Sequence, residues 1–243
     1  MLKEVTAIQK LSRRLQAVAD LTAPWSRIAD IGSDHAHLPI YLAEIGQLQQ
    51  GVAGEVIPGP FAIATEHVAT AGLSERITVR LADGLAAIAP ADHMQCAVLA
   101  GMGGFLITQI LARSAATVAS LAGLVLQPNQ NVAEVRQWLA AHQWRITAEK
   151  IVFDEGHCYQ MMQARPSKEP LQYTALEALM GPCLLQAGAE PTFVRYWQFK
   201  LAQRQKLVRQ LQQAQTLPLE KLAALQREIT LIEAGLAQVQ SLK

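Results

Sequence analysis

The stretch IADIGSDHAHLP, residues 28–39, decides how the rest of the chain is read. Ile28, Ala29, Asp30 and Ile31 lead into Gly32, which predicts a short buried strand ending in a turn. Ser33, Asp34 and His35 follow as three polar residues together. Pro39 then suits the first turn of a helix, where a missing N–H costs nothing. Strand, glycine turn and helix in that order predict a cofactor loop. A dinucleotide fingerprint has glycine at three positions of such a loop, and here only Gly32 is present. The loop has to hold something other than a pyrophosphate.

Outward from this stretch, short apolar runs alternate with helical stretches to about residue 125. RIADI, QGVAGEV, ITVRLA, MQCAVLA and GLVLQ read as strands. AHLPIYLAEIGQ, GPFAIATEHVATAG, a short GLAAIAP and GFLITQILARSA lie between them. Continuously apolar strands separated by helices indicate a parallel sheet covered on both faces. NVAEVRQWLAAHQ supplies another helix, and WRITAEKIVFDEG with HCYQMMQARP predicts a β-hairpin around Glu155 and Gly156. The expected fold class is α/β: a Rossmann-like sheet of seven strands with the last hairpin antiparallel, the strand count of a class I methyltransferase. A helix is expected before the first strand, with Ile8, Leu11, Leu15 and Val18 on one face.

After RPSKEP the texture changes. Pro166 and Pro170 mark an expected linker, so residues 1–165 and 166–243 are expected as two domains. Val194, Trp197, Leu201, Val208 and Leu211 form one heptad seam with Arg204 in a slot. Leu222, Leu225, Ile229, Ile232, Leu236 and Val239 form a cleaner one. With TLPLE as the turn between them, the C-terminal part reads as an antiparallel, coiled-coil-like helical hairpin.

The formal net charge is +1, which by itself points to no partner. Its distribution says more: residues 1–165 hold 12 Lys/Arg against 14 Asp/Glu, and residues 166–243 hold 9 against 6. Cys96, Cys158 and Cys183 are odd in number and far apart, which argues against a disulfide framework or a zinc site and for a reducing compartment. The N-terminus has no apolar core of signal-peptide type, and the most apolar run is broken by three glycines. A cytoplasmic protein with no membrane association and no metal is expected, with a monomer favoured.

In an open parallel sheet, ligands sit at the carboxyl ends of the strands. Here those ends carry Asp30, Gly32 and Ser33, then Glu55, then Asp83 and Gly84, then Gly101 and Met102, then Gln127, Pro128 and Asn129. Singly, each has an ordinary explanation: a solvated strand end, a common turn pair, a helix packed close on the sheet. Five polar or glycine-rich ends in succession point to a cofactor. S-adenosylmethionine accounts for the set. Asp30 and the Gly32 loop suit its methionyl end, because glycine lets the backbone approach closely. Glu55 can accept both ribose hydroxyls with its two oxygens, and Asp83 can accept from the adenine amino group. No pyrophosphate needs cradling, so the other fingerprint glycines are dispensable.

The residues also resemble one family. LSRRL, DIGSDHAHLP, AGEVIPGP, RLADGL, AGMGG followed by LI, LQPN and RQWL recur in this order in the bacterial tRNA (adenine-22, N1)-methyltransferases, the TrmK family. The resemblance spans roughly residues 8–163, and the C-terminal helical pair is similar in architecture. It implies methyl transfer from S-adenosylmethionine to N1 of an adenine in the D-arm region of tRNA. Two departures stand out: His37 where the family has Tyr after DHA, and Gln160 after Tyr159 where the family has Glu.

N1 of adenine lies on the Watson–Crick edge, so the target has to be unpaired or flipped. The protein's main task is alignment, with reacting atoms at ~3–3.5 Å. An oxygen acceptor near N6 would orient the base, and Asp34, His35 and Asn129 are the candidate catalytic residues. Arg14, Arg195, Lys206 and Arg209 are the candidate tRNA contacts. Residues 191–219 contain no Asp or Glu, which makes a phosphate-binding face plausible beside the bland reading of a solvated one. Two alternatives stay open: a small-molecule methyltransferase with a helical appendage, and a non-catalytic tRNA-binding protein with a vestigial cofactor site.

Overall fold

The structure, a computed structural model, describes residues 9–213 and 218–242. Ile8, and Thr216 and Leu217 of the expected turn, lie outside the described residues.

Five parallel strands form the centre: β1 (Arg27–Ile31), β2 (Gln50–Glu55), β3 (Ile77–Leu81), β4 (Cys96–Gly103) and β5 (Gly123–Gln130). The hairpin β6 (Trp144–Asp154) and β7 (His157–Pro166) adds its second strand antiparallel to β5. The sheet order is β3-β2-β1-β4-β5-β7-β6, with the seven strands and antiparallel last hairpin that the sequence predicts. Period-two alternation divides the apolar strands between two cores. Ala97, Leu99, Leu124 and Leu126 face one core, while Ile28, Cys96, Val98 and Val125 face the other. Each such aliphatic side chain taken fully out of water contributes about 1.5–3 kcal/mol.

Helices α1 (Arg13–Leu21), α2 (His37–Glu44), α3 (Pro58–Thr70), α4 (Gly104–Arg113), α5 (Ala115–Ser120) and α6 (Val132–Ala141) cover the two faces. Ser12 caps α1, accepting from the Leu15 N–H at 3.2 Å. Helix α1 starts at Arg13, so Leu11 precedes it and still packs beside Leu15 and Val18.

β4 and β5 run further than expected. Glycine and proline read as strand breakers in AGMGG and LQPN. The two strands instead continue together as an irregular ladder, with register shifts at Met102 and Gly103. The loop expected after β4 is therefore held to β5.

The expected linker is not open chain. Pro166 still belongs to β7, where it pairs with Trp144, and two short helices follow: α7 (Ala175–Met180) and α8 (Pro182–Gln186). They seat the long pair α9 (Pro191–Gln212) and α10 (Leu219–Ser241) on β6. Ile151 of β6 joins Met180, Phe193, Trp197, Ile232 and Val239 in one core. Trp197 near the start of α9 shares this core with Val239 near the end of α10, and Arg204 Nε meets Glu228 at 2.9 Å, so the pair is antiparallel. Arg204 occupies its slot in the seam by pairing across it.

Arg136 of α6 ties the helices to the sheet. Its side chain is fully buried and meets Glu149 Oε1 of β6 at 2.8 Å. It also donates to the carbonyls of Ala178 and Leu179 and to Gln160 Oε1. Glu149 Oε2 accepts from the Cys183 N–H at 2.9 Å. Gly181, with φ +100°, stands where a Cβ would strike the Glu149 carboxylate, so only glycine fits between α7 and α8.

Candidate functional site

The turn after β1 is built under constraint. Gly32 and Ser33 donate their N–H groups to the Gly54 carbonyl at 2.9 and 3.2 Å, which pins the turn to β2. Gly32 has φ +68°, and a Cβ there would run into the Met102 methyl. Asp34, His35 and Ala36 follow with φ of 47°, 70° and 62°. Three successive non-glycine residues in the left-handed region cost ~1–3 kcal/mol each, and such strain persists where surrounding structure over-determines it. The turn brings the amides of His35 and Asp34 towards the Glu55 carboxylate, where they favour its charged form.

Two carboxylates sit withdrawn from water at the ends of neighbouring strands. Asp30 is buried and accepts from Ser33 Oγ at 2.6 Å. Burial pushes its pKa up to about 7 against the Ser33 hydrogen bond, with help from the negative charges of Glu55 and Asp34; Arg14 opposes. Glu55 is also buried, and its Oε1 has no hydrogen-bond partner among the described residues. Burial raises its pKa too. The pair forms an electronegative corner in which one Glu55 oxygen has no partner among the described residues.

A cavity of about 350 Å³ opens at Asp30, and Glu55 is not among its lining residues. It brings together Asp30, Gly32, Ser33 and Asp34 from the first turn with Gly101, Met102 and Asn129 from the paired ends of β4 and β5. Arg14 enters the same cavity from α1. Its Nη1 donates to Gln127 Oε1 at 2.8 Å, and the Gly101 N–H donates to the same oxygen at 3.1 Å. Gln127 Nε2 in turn donates to Asn129 Oδ1, and Asn129 Nδ2 donates to the Gly101 carbonyl at 2.8 Å. This network fixes the orientation of Asn129, and Asn129 Oδ1 keeps a second lone pair free of it.

Not every expected site residue converges here. Asp83 is exposed and pairs with exposed Arg113 at 3.2 Å. Gly84 is buried with φ +57°, and a Cβ there would press on Ile110, so its evident role is packing against α4. His35 does not line the cavity. It stands 3.6 Å from Asp34 and shares a cluster with His37 and His67, ring centroids 5.7–5.9 Å apart. Arg195 lines a separate groove, while Lys206 and Arg209 are exposed further along α9 and line neither.

Two residues have roles at the cavity that the sequence does not assign: Gln127, read there only as a polar strand end, supports the wall from behind, and Tyr159 lines it. Gln127 is buried and holds Arg14 and Asn129 together; the available signal was an amide closing an apolar strand. Tyr159 lies under the Arg14 guanidinium, 5.7 Å from its centroid, and gave no signal of its own.

The sequence profile of the TrmK family, tRNA (adenine(22)-N(1))-methyltransferase, matches residues 28–234. The chain belongs to this family. The tRNA (adenine(22)-N(1))-methyltransferase of Bacillus subtilis strain 168 is 34% identical over 209 residues, which cover 84% of this chain and 87% of that protein. The crystal structure of the B. subtilis m1A22 tRNA methyltransferase TrmK superposes with a TM-score of 0.83 at 32% identity, covering 93% of this chain and 99% of that one. A Streptococcus pneumoniae protein described as a candidate tRNA (m1A22) methyltransferase was solved with S-adenosyl-L-methionine. It matches with a TM-score of 0.84 at 34% identity, covering 93% of this chain and 100% of that one.

The two departures from the TrmK pattern occupy different places. His37 meets the Gln9 side chain and the other two histidines, and burial with the neighbouring His67 charge lowers its pKa. Gln160 lies in the buried Arg136 network, so the amide there leaves Glu149 as the carboxylate paired with Arg136.

Proposed function

We propose that this S-adenosyl-L-methionine-dependent tRNA methyltransferase acts on N1 of adenine 22, and that it does so in the cavity at the ends of β1, β4 and β5. Family membership supports the reaction; what supports this cavity as the cofactor's is the buried, raised-pKa carboxyl of Asp30 in its wall, with the unpartnered Glu55 Oε1 near enough to act on it. A ligand offering hydroxyl donors and positive charge complements that corner. S-adenosyl-L-methionine fits, with Glu55 on the ribose hydroxyls and Asp30 near the methionyl ammonium. Arg14 is placed to receive the methionyl carboxylate. We therefore assign Arg14 to the cofactor cavity in place of the tRNA contact that its sequence position suggested. Asp83 reaches the adenine amino group once it leaves Arg113, a surface pair worth at most about 1 kcal/mol.

Bound there, S-adenosyl-L-methionine supplies an electrophilic methyl group. The chain's own residues hold the target. Asn129, fixed by Gln127 and the Gly101 carbonyl, presents its free Oδ1 lone pair to the N6 amino group of the base. Asp34, four-fifths exposed at its side chain, stands on the same cavity wall and can take the proton that N6 loses more readily after methylation. Holding reacting atoms in line is the larger contribution, since a neutral N1 needs no base to become nucleophilic. Among the described residues no helix is long and apolar enough to cross a membrane. We assign the tRNA to the C-terminal side, with Arg195, Lys206 and Arg209 gripping phosphates, and the protein to the cytoplasm.

Incubation with bulk tRNA and labelled S-adenosyl-L-methionine, followed by nucleoside digestion, is expected to yield N1-methyladenosine. Label found only in N6-methyladenosine, or only in small molecules, would overturn the reading.

A further inference from the structure

A second cavity of about 660 Å³ lies between the tip of the β6-β7 hairpin and the first turns of α9. Its size falls within the ~300–1,000 Å³ of ligand sites. Asn129 lines this groove as well as the cofactor cavity, so the two adjoin at that residue. Phe153 from the hairpin and Phe199 from α9 line it while staying 52% and 59% exposed. Two such aromatic side chains lining one groove offer π-faces that a ligand can cover. Arg195 and Lys200 line the same groove, and among the described residues no carboxylate does. Lys200 lies over the Tyr196 ring, 5.4 Å from its centroid, which holds the ammonium at the groove wall. The groove thus combines π-faces with fixed positive charge, on a path that leads to the candidate acceptor.

Phe153 and Thr192 also border a furrow of about 820 Å³ between α1 and β6. Lys10 and Arg13 line it, while Asp20, its one carboxylate among the described residues, is paired with Lys150. The positive lining therefore continues away from the catalytic end.

We propose that the groove is a stacking subsite for the unpaired nucleotides flanking the target adenine. Phe153 and Phe199 take base faces, and Arg195 and Lys200 take the adjoining phosphates. A groove with aromatic platforms and cations along its track is the general chemistry of single-stranded nucleic-acid binding. The inference rests on the tRNA reading above and extends it to specificity: strands with these nucleotides locked in a duplex are rejected, because a paired base offers no free face. Phe153 and Phe199 line the groove and not the cofactor cavity, so they are positioning residues.

The test is a Phe153→Ala/Phe199→Ala double variant, with filter binding of tRNA measured alongside turnover. Its tRNA Kd and KM are expected to rise about ten- to a hundredfold, while S-adenosyl-L-methionine affinity by calorimetry stays unchanged. Tyr at both positions should restore tRNA binding. An Arg195→Gln/Lys200→Gln variant, which leaves the aromatic packing alone, should lower the salt slope of tRNA binding by about 2. Unchanged tRNA affinity in both variants overturns the subsite. So does a loss that Tyr fails to restore while cofactor affinity is kept. Wild-type protein that binds tRNA through these residues yet forms no N1-methyladenosine would instead overturn the function proposed above.

Discussion

Glu55 and Glu149 are both carboxylates withdrawn from water, and the protein completes only one of them. Glu149 sits at the joint between sheet and C-terminal helices. One oxygen meets Arg136 at 2.8 Å and the other accepts from the Cys183 N–H. Glu55, at the end of β2, keeps an oxygen without a partner among the described residues. A buried polar atom left open costs free energy in the resting protein, so it persists where a ligand repays it. A buried ion pair with every oxygen satisfied does the opposite: it specifies one geometry and offers nothing to a ligand. Burial alone does not separate a structural from a functional carboxylate; partner count does.

The sharpest way to break this contrast is to remove each carboxylate in turn. Glu149→Ala leaves the Arg136 guanidinium buried without its counter-charge. Unfolding free energy should drop by about 3–5 kcal/mol, a large part of a typical domain's margin. A chemical-denaturation midpoint within error of wild type would show that the joint is not what holds the helices on the sheet.

Glu55→Gln should behave in the reverse manner. S-adenosyl-L-methionine affinity falls by about 1.5–3 kcal/mol for each charged hydrogen bond lost, while stability holds or rises slightly because a costly charge is gone. If calorimetry gives the wild-type affinity, Glu55 belongs with Glu149 as a structural group.

A smaller effect concerns Asp30, whose pKa is raised to about 7. The carboxyl holds its proton below that value, and a cationic ligand prefers the charged form. Affinity for S-adenosyl-L-methionine should therefore weaken as pH falls below about 7, by up to ~1.4 kcal/mol per pH unit at the limit. Stability moves the other way. Between the unfolded carboxyl pKa near 3.8 and about 7, the native state retains a proton that the unfolded chain has lost, so stability declines as pH rises through that window. Asp30→Asn should flatten both profiles. Cofactor binding equally pH-dependent in that variant would assign the titration to another group.

Much of the cavity's lining was legible in the sequence because a local rule governs it. Strand ends deliver their side chains to one edge of a parallel sheet, so the polar residue closing each apolar run marks the site. Asp30, Gly32, Ser33 and Asn129 reach one cavity on that basis. Asp83 obeys the same rule, yet turns to Arg113, because an exposed carboxylate at a sheet margin finds a surface cation. Arg14 reads from sequence as a charged helix residue free to meet tRNA, and only the fold shows it donating to the buried Gln127 and lining the cavity. The short helices α7 and α8 were missed because six- and five-residue helices between prolines carry too little periodicity to tell from a linker.

The order of apolar runs, turn residues and helical stretches determined the α/β class, the seven strands and the antiparallel hairpin, because strand and helix periodicities are written in consecutive residues. The C-terminal heptads likewise determined two long helices. Only the tertiary structure decided how those helices are attached. Arg136 finds Glu149, Gln160 and the carbonyls of α7 across up to 43 positions of chain, and no local pattern records such a pairing. It alone also decided that Asn129, Phe153, Arg195 and Phe199, from a strand end, a hairpin and a helix, share one groove. A groove between packed elements exists only when their separation and angle are set, and those follow from side-chain packing across the whole molecule.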